Sequence, residues 1–315
     1  METPAGPPAA SRTGPVLVVV GGGKGGVGKS FVASSLALAL ARKGAARGRR
    51  VMAVDLDVGG SNLNLFFGEP WPRAELTDFL EGRAPWLSAV AQPTRLDNLR
   101  YVAGGFDLVT APDPLRQRKL ELVQALVGLD ADVVVLDLPA GSAPATLDFF
   151  FLGDHKIVVT TPDTAAFHDA YGFLKGYLLR RLLTEFRDRP EPMGLMLDFF
   201  RGPGAEQDRS ITALVRSLRE EMPEVWPEVV GILQDDAPRL VLNRVRDRRE
   251  RGWLERFRVV VQKNLSLYCP VLGWIPEDRR VARALRDGRP FLLEHPRHRI
   301  ARRFDAWSDR LAERG

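Results

Sequence analysis

The chain has 315 residues, 45% of them hydrophobic, which is enough for one large α/β domain or two small ones. No apolar run approaches the roughly 20 residues needed to span a bilayer, and a single cysteine, Cys269, excludes an internal disulfide framework or a multi-cysteine cluster within one chain. The 45 Lys and Arg against 40 Asp and Glu leave a net charge of +5, compatible with nucleic acid or an anionic membrane as partner and demonstrating neither.

Residues 1–14, rich in Pro, Ala and Gly, read as a disordered lead and not a signal peptide, so the protein is expected in the cytoplasm, with one domain over 15–315. A strand over 16–20, mostly β-branched, enters a glycine-rich loop, and Ser30 opens an apolar-periodic helix to 41. Gly23, four residues and then Gly28-Lys29-Ser30 fit the P-loop pattern, in which main-chain N–H groups wrap phosphate oxygens at a helix N-terminus. In that pattern Lys29 lies between the β- and γ-phosphates and the Ser30 hydroxyl is a Mg²⁺ ligand. The candidate nucleotide-binding run is Gly23, Lys24, Gly25, Gly26, Val27, Gly28, Lys29, Ser30 and Phe31.

A basic turn over 42–50 precedes a second buried strand, 51–54, which ends in Asp55 and Asp57. Carboxylates at the C-terminal end of a parallel strand sit where open α/β sheets bind ligands. One of the two can order metal-bound water while the other orients the attacking water, and turn or N-cap chemistry is the competing explanation. A short helix over 75–87, a strand over 99–109 broken at Gly104-Gly105, and a helix over 115–129 with Leu120, Leu122, Val123, Leu126 and Val127 on its apolar side come next. Four aliphatics then lead to Asp137, the Walker B arrangement that brings an acid to Mg²⁺ from the side opposite Ser30. Gly141 is placed to offer its N–H to a γ-phosphate, making 138–141 a switch for the nucleotide state.

A strand over 156–160 leads through Thr161-Pro-Asp163 to a helix over 169–186, where His168 takes a capping or surface role. Mixed charge and short helical patterns then suggest a helical insertion over about 176–238. There follow a strand over 239–243, a helix over 248–263, a strand over 267–275 holding Cys269 and ending at Pro276, a short helix over 280–286 and a last helix over about 296–313. In that last helix Ile300, Phe304, Trp307 and Leu311 form one apolar stripe beside several arginines. It either packs on the domain or lies on an anionic membrane. His295 and His298 read as exposed turn residues, since no third metal ligand accompanies them.

Lys24-Gly-Gly-Val-Gly-Lys29-Ser30, with DLDVGGSN, VVLDLPAG, VVTTPDTAAFHDAY, VLNRV and GWIPED following in order, resembles the MinD/ParA class of deviant Walker A P-loop ATPases. The TPDTAAFHDAYGFLK stretch is most similar to the FlhG-like (FleN/YlxH) ATPases that govern flagellar number and placement, although no DQAxxLR-type motif occurs in the lead. The resemblance implies a mostly parallel sheet flanked by helices, with ATP and Mg²⁺ as cofactors. It implies an ATP-dependent homodimer in which Lys24 reaches the partner's phosphates, and slow hydrolysis stimulated by a protein activator. By the same resemblance Asp57 activates water, Asp137 is the Walker B acid, Asn243 reads adenine and Pro276 frames the base; for Asn243 a buried amide at a strand end is the alternative. The metal set is Ser30, Asp55 and Asp137, and the catalytic set Lys24, Lys29 and Asp57. The implied role is a switch that positions a cellular structure at the inner face of the membrane. The alternative is a ParA-like factor binding non-specific DNA through Arg180, Arg181, Arg187, Arg189 and the cluster from Arg244 to Arg258. Iron–sulfur carriers resemble the same loop but need cysteines that this chain lacks.

Overall fold

The computed structural model describes residues 14–105, 118–201 and 210–313. Apolar, largely β-branched runs that read as strands buried on both faces form a sheet of eight, in the order β3-β4-β2-β5-β1-β6-β7-β8. Its strands are β1 (Val16–Gly21), β2 (Val51–Asp55), β3 (Gln92–Pro93), β4 (Leu99–Val102), β5 (Val133–Asp137), β6 (His155–Thr160), β7 (Arg239–Val245) and β8 (Val271–Pro276). All neighbours pair in parallel except β3, which is antiparallel to β4 at one edge. The C-terminal ends of β1, β2, β5, β6, β7 and β8 therefore converge on one edge of the sheet, and every candidate site residue follows or ends one of these strands.

Alternation along the strands divides the interior in two. Leu17, Val19, Val54, Val134 and Leu136 face one core, which is covered by helices Lys119–Val127, Pro144–Phe151, Thr164–Glu185, Ile211–Glu221 and Arg248–Leu265. Val18, Val20, Val51, Ala53, Val133 and Val135 face the other, which is closed by α1 (Lys29–Gly44) and the C-terminal helix Arg299–Leu311. Helices Pro190–Arg201, Ile211–Glu221 and Trp226–Val230 occupy the stretch read as an insertion, and their Met196, Leu214, Leu218 and Val229 join the first core.

The stripe Ile300, Phe304, Trp307 and Leu311 is buried against α1, with Phe304 edge-on to Phe31. Arg42 and Lys43 of α1 pair with Asp305 and Asp309 across the same contact. The apolar face of this helix is thus taken up by the fold and is not presented to a membrane. No helix among the described residues is long and apolar enough to cross one.

Several boundaries differ from the sequence reading. The helix placed over 75–87 is only Leu76–Leu80, where Glu75 and Asp78 form a reciprocal capping box, followed by a 3-10 turn at Leu87–Val90. The strand over 99–109 stops at Val102, before Gly105 turns the chain with φ of +108°; residues 106–109 lie outside the described residues. The helix over 115–129 is described from Lys119, residues 115–117 lying outside the described residues; Leu122 and Leu126 are buried, but Leu120 is 75% exposed and not on the apolar side. The helix expected from 169 begins at Thr164, because the Asp163 carboxylate caps it by accepting from Ala166 N at 2.8 Å; His168 is exposed and caps nothing. Cys269 is buried but precedes β8. His298 is not an exposed turn residue: its Nδ1 accepts from Ile300 N to cap the last helix, and Nε2 meets Arg280 at 2.7 Å.

Candidate nucleotide-binding site

Residues 22–28 connect β1 to α1, and the glycines in them are required by what lies against the loop. A Cβ on Gly23 would stand 1.9 Å from the Asp169 carbonyl oxygen, and one on Gly28 would stand 2.2 Å from Asn243 Nδ2. Gly28, with φ of +94°, occupies the N-cap position of α1 with no side-chain cap, and the first helical bond is Val32 N to Gly28 O at 3.0 Å. The N–H groups of Lys29, Ser30 and Phe31 therefore have no helical acceptor, and no acid in the first turn offsets the dipole. This helix start presents positive charge to the open end of the sheet. Gly25 and Gly26 are exposed on the outer side of the loop, while Val27 is buried beneath it.

Four charged groups meet under the loop. Lys29 is buried, its Nζ donating to Lys24 O at 3.3 Å, and burial lowers its pKa while Asp137, Asp57 and Asp55 pull it back up. Asp55 and Asp137 are register partners at the ends of β2 and β5. Asp137 is fully buried and its carboxyl is held well above the usual range, first by desolvation and then by the charge of Asp55, against a hydrogen bond from Ser30. Its Oδ1 has no hydrogen-bond partner. Half-buried Asp57 is also raised by burial, partly offset by Lys29. Three carboxylates beside one buried ammonium make a pocket with excess negative charge and an unused oxygen.

That oxygen is the observation against which Mg²⁺ is tested. No group of three or more His, Cys, Asp or Glu among the described residues forms a metal cage. Magnesium does not require one, since it keeps several waters and takes one or two protein oxygens together with phosphates. Ser30 Oγ and Asp137 Oδ1 fit that pattern. Asp55, expected in the metal set, is placed differently. Its carboxylate accepts from Asp57 N at 2.9 Å, Ser61 Oγ at 2.8 Å, and Asn62 N and Leu63 N both at 3.2 Å. In this arrangement it folds the loop after β2 and does not offer a free oxygen to an ion.

The other expected residues are also at this edge, with some corrections. Asn243 is buried; its Nδ2 donates to Val27 O at 2.8 Å and its Oδ1 accepts from Arg244 N at 2.9 Å, so it ties β7 to the phosphate loop. Together with Gly28, Phe66, Pro276 and Val281 it borders a cavity of about 240 Å³. The Phe31 ring also borders that cavity but packs chiefly in the core with Phe66, Phe291 and Phe304. Gly141 keeps its φ of +94°, yet its N–H donates to Gly22 O at 3.2 Å and is not free for a phosphate. Lys24, 42% exposed, turns away from its own pocket to Asp163 Oδ1 at 3.8 Å. The sequence reading gave Asp163 no such part, although its place just past the end of β6, on the ligand edge, was a signal. The arginines offered for DNA mostly have acidic partners: Arg180 with Asp148, Arg181 with Asp236 and Glu185, Arg187 with Asp188, Arg189 with Glu228, Arg246 with Glu250 and Arg258 with Glu255.

A parallel sheet whose first strand feeds a glycine loop into a bare helix start is the architecture of a P-loop NTPase. Residues 18–291 match the CobQ/CobB/MinD/ParA nucleotide binding domain, and the chain belongs to that family. Among curated relatives, the septum site-determining protein MinD of Bacillus subtilis (strain 168) is 29% identical over 224 residues, covering 70% of this chain and 76% of MinD. The antiactivator FleN of Pseudomonas aeruginosa is 27% identical over 220 residues, covering 70% and 74%. Among solved structures, MinD from Pyrococcus horikoshii complexed with Mg-ADP shares the fold with a TM-score of 0.57 at 22% identity, covering 94% of this chain and 95% of that one.

Proposed function

We propose that this protein is an ATP-hydrolysing switch of the MinD/ParA type, which dimerises when ATP is bound and governs the placement of a cellular structure through a protein that stimulates its turnover. The main-chain N–H groups of 25–30 grip the phosphates, and Lys29, already buried among carboxylates, neutralises them. Ser30 and Asp137 hold magnesium, which supplies charge neutralisation on the phosphate oxygens. Asp57 orients the attacking water, and its raised pKa makes it a better proton acceptor than an exposed carboxylate. Asn243 and Pro276 hold the base in the neighbouring cavity. The septum-site role that MinD's name carries, and the resemblance of the TPDTAAFHDAYGFLK stretch to flagellar placement ATPases, favour a division site or a flagellar pole as the structure placed.

The observation that carries the dimer is the position of Lys24. It belongs to the phosphate loop, yet its side chain lies on the open face, held only by a 3.8 Å contact with Asp163 that is half exposed to solvent. An exposed pair of this kind contributes about 1 kcal/mol or less, so a triphosphate on an opposing copy can outcompete it. The test is the mass of the purified chain with and without MgATP, by light scattering. Asp57→Ala should bind ATP and stay dimeric. Lys24→Ala should bind ATP and remain monomeric; if it dimerises as the unaltered chain does, the cross-subunit role is wrong.

A further inference from the structure

A cavity of about 650 Å³ lies away from the phosphate loop. Its size falls within the roughly 300–1,000 Å³ of ligand pockets, but it is an open groove. One wall is helix Ile211–Glu221, another the last turns of helix Arg248–Leu265, and a third the stretch from Trp226 to Gln234, which ends in a single π-helical turn, Gly231–Asp235. Buried Val215 and Leu233 form its floor. Trp226 lines it beneath Arg219, whose guanidinium carbon lies 5.5 Å from the ring centre. Tyr268, 46% exposed, also lines it, with Arg258 over its ring 5.7 Å from the centre, and its N–H donates to Leu233 O at 2.8 Å.

On the elements beside the groove, Arg189 pairs with Glu228 and Arg258 with Glu255. Arg216 and Arg219 are exposed, three apart on one helix face, and neither has an acidic partner among the described residues. Glu220 is the only acid in the lining. Val259 is half exposed and continues the apolar surface, because it shares a helix face with Gln262 and Ser266. A small ligand in so open a groove would keep much of its hydration. A larger body presenting side chains would cover it.

We propose that this groove docks an acidic segment of a partner protein, seating one large apolar side chain on the surface that Trp226, Val230 and Tyr268 line while carboxylates meet Arg216 and Arg219. Aromatic and arginine side chains of this kind are the usual anchors of protein interfaces, and guanidinium–carboxylate bonds made where a neighbouring ring excludes water are the stronger ones. Tyr268 precedes β8, whose other end is Pro276, so the groove lies at the end of the sheet opposite the phosphate loop and its occupant does not compete with nucleotide. This docking does not depend on the ATPase reading.

The test is peptide phage display against the intact, nucleotide-free chain, followed by fluorescence anisotropy of the enriched peptides. Enriched sequences should carry two or more Asp or Glu around a Leu, Phe or Trp. They should bind at least tenfold more weakly to an Arg216→Ala, Arg219→Ala double variant, and more weakly to Tyr268→Ala, with nucleotide binding unchanged in both. Because these side chains are exposed, either variant should fold. Failure to enrich acidic peptides, or binding to either variant as tight as to the unaltered chain, overturns the proposal. So does anionic-vesicle binding that the double variant alone abolishes, which would make the groove a lipid contact. A tenfold gain in peptide affinity when 202–209 are replaced by a Gly-Ser run of equal length would show that this chain fills its own groove, and would also overturn it.

Discussion

Replacing Asp137 by asparagine should raise the melting temperature of the nucleotide-free protein and lower its ATP turnover. The two effects share one cause. Asp137 is buried beside Asp55 and Asp57, its Oδ1 has no partner, and its carboxyl titrates well above the usual range because desolvation and the Asp55 charge oppose ionisation. A carboxyl whose folded pKa exceeds its unfolded one opposes folding once ionised. The stability of the free protein should therefore fall as pH rises from the ordinary carboxylate range through the raised value, and stay low above it. Asparagine removes that dependence. At pH 8 we expect the variant to melt about 2–4 °C higher, equivalent to about 1 kcal/mol, with the difference shrinking toward pH 5. With MgATP the order should reverse, since the unaltered chain, which binds the ligand more tightly, gains more stability from it. Turnover should drop about 10³-fold, on the scale of the several kcal/mol that a correctly held metal contributes. Differential scanning calorimetry and phosphate release measure both; a less stable variant with unchanged turnover would contradict the assignment.

Gly23→Ala should abolish nucleotide binding while leaving a folded protein. The new methyl group would stand 1.9 Å from the carbonyl oxygen of Asp169, which belongs to helix Thr164–Glu185 and cannot move like the end of a side chain. The loop must give way, and with it the main-chain cradle. Affinity should fall at least 100-fold, with about 1–3 kcal/mol of overpacking in stability. Gly25→Ala is the matched control, because its Cβ would meet no atom within 4 Å and should leave stability unchanged. Anisotropy of a fluorescent ATP analogue and thermal melting separate the two; identical behaviour of both variants would show that the contact with Asp169 is not what fixes the loop.

These residues also show what could be read in advance. The strand, loop and helix around Lys29, and the aliphatic run into Asp137, were legible because a parallel strand buried on both faces leaves an uninterrupted apolar run, and close backbone approach demands glycine. The destination of the C-terminal stripe was not, since a lipid surface and the face of α1 select the same spacing of Ile300, Phe304, Trp307 and Leu311. Pairings between residues distant in sequence were equally hidden. Lys24 with Asp163, Arg180 with Asp148 and Arg189 with Glu228 come together only through the sheet order and the helix layers. Asp55 shows a subtler limit: its position after a strand suggested a metal ligand, but four donors from its own loop occupy the carboxylate.

On this account the amides of the loop and the buried Lys29 ammonium bind a magnesium-bound triphosphate. Isothermal titration of ATP into the purified chain, with magnesium and then with excess EDTA, tests it most directly. One ATP per chain should bind saturably, at least tenfold more weakly without magnesium, and Lys29→Ala should show no binding at the same concentrations. Titrations that release no heat of binding with magnesium present, or in which Lys29→Ala binds as tightly as the unaltered chain, would contradict it.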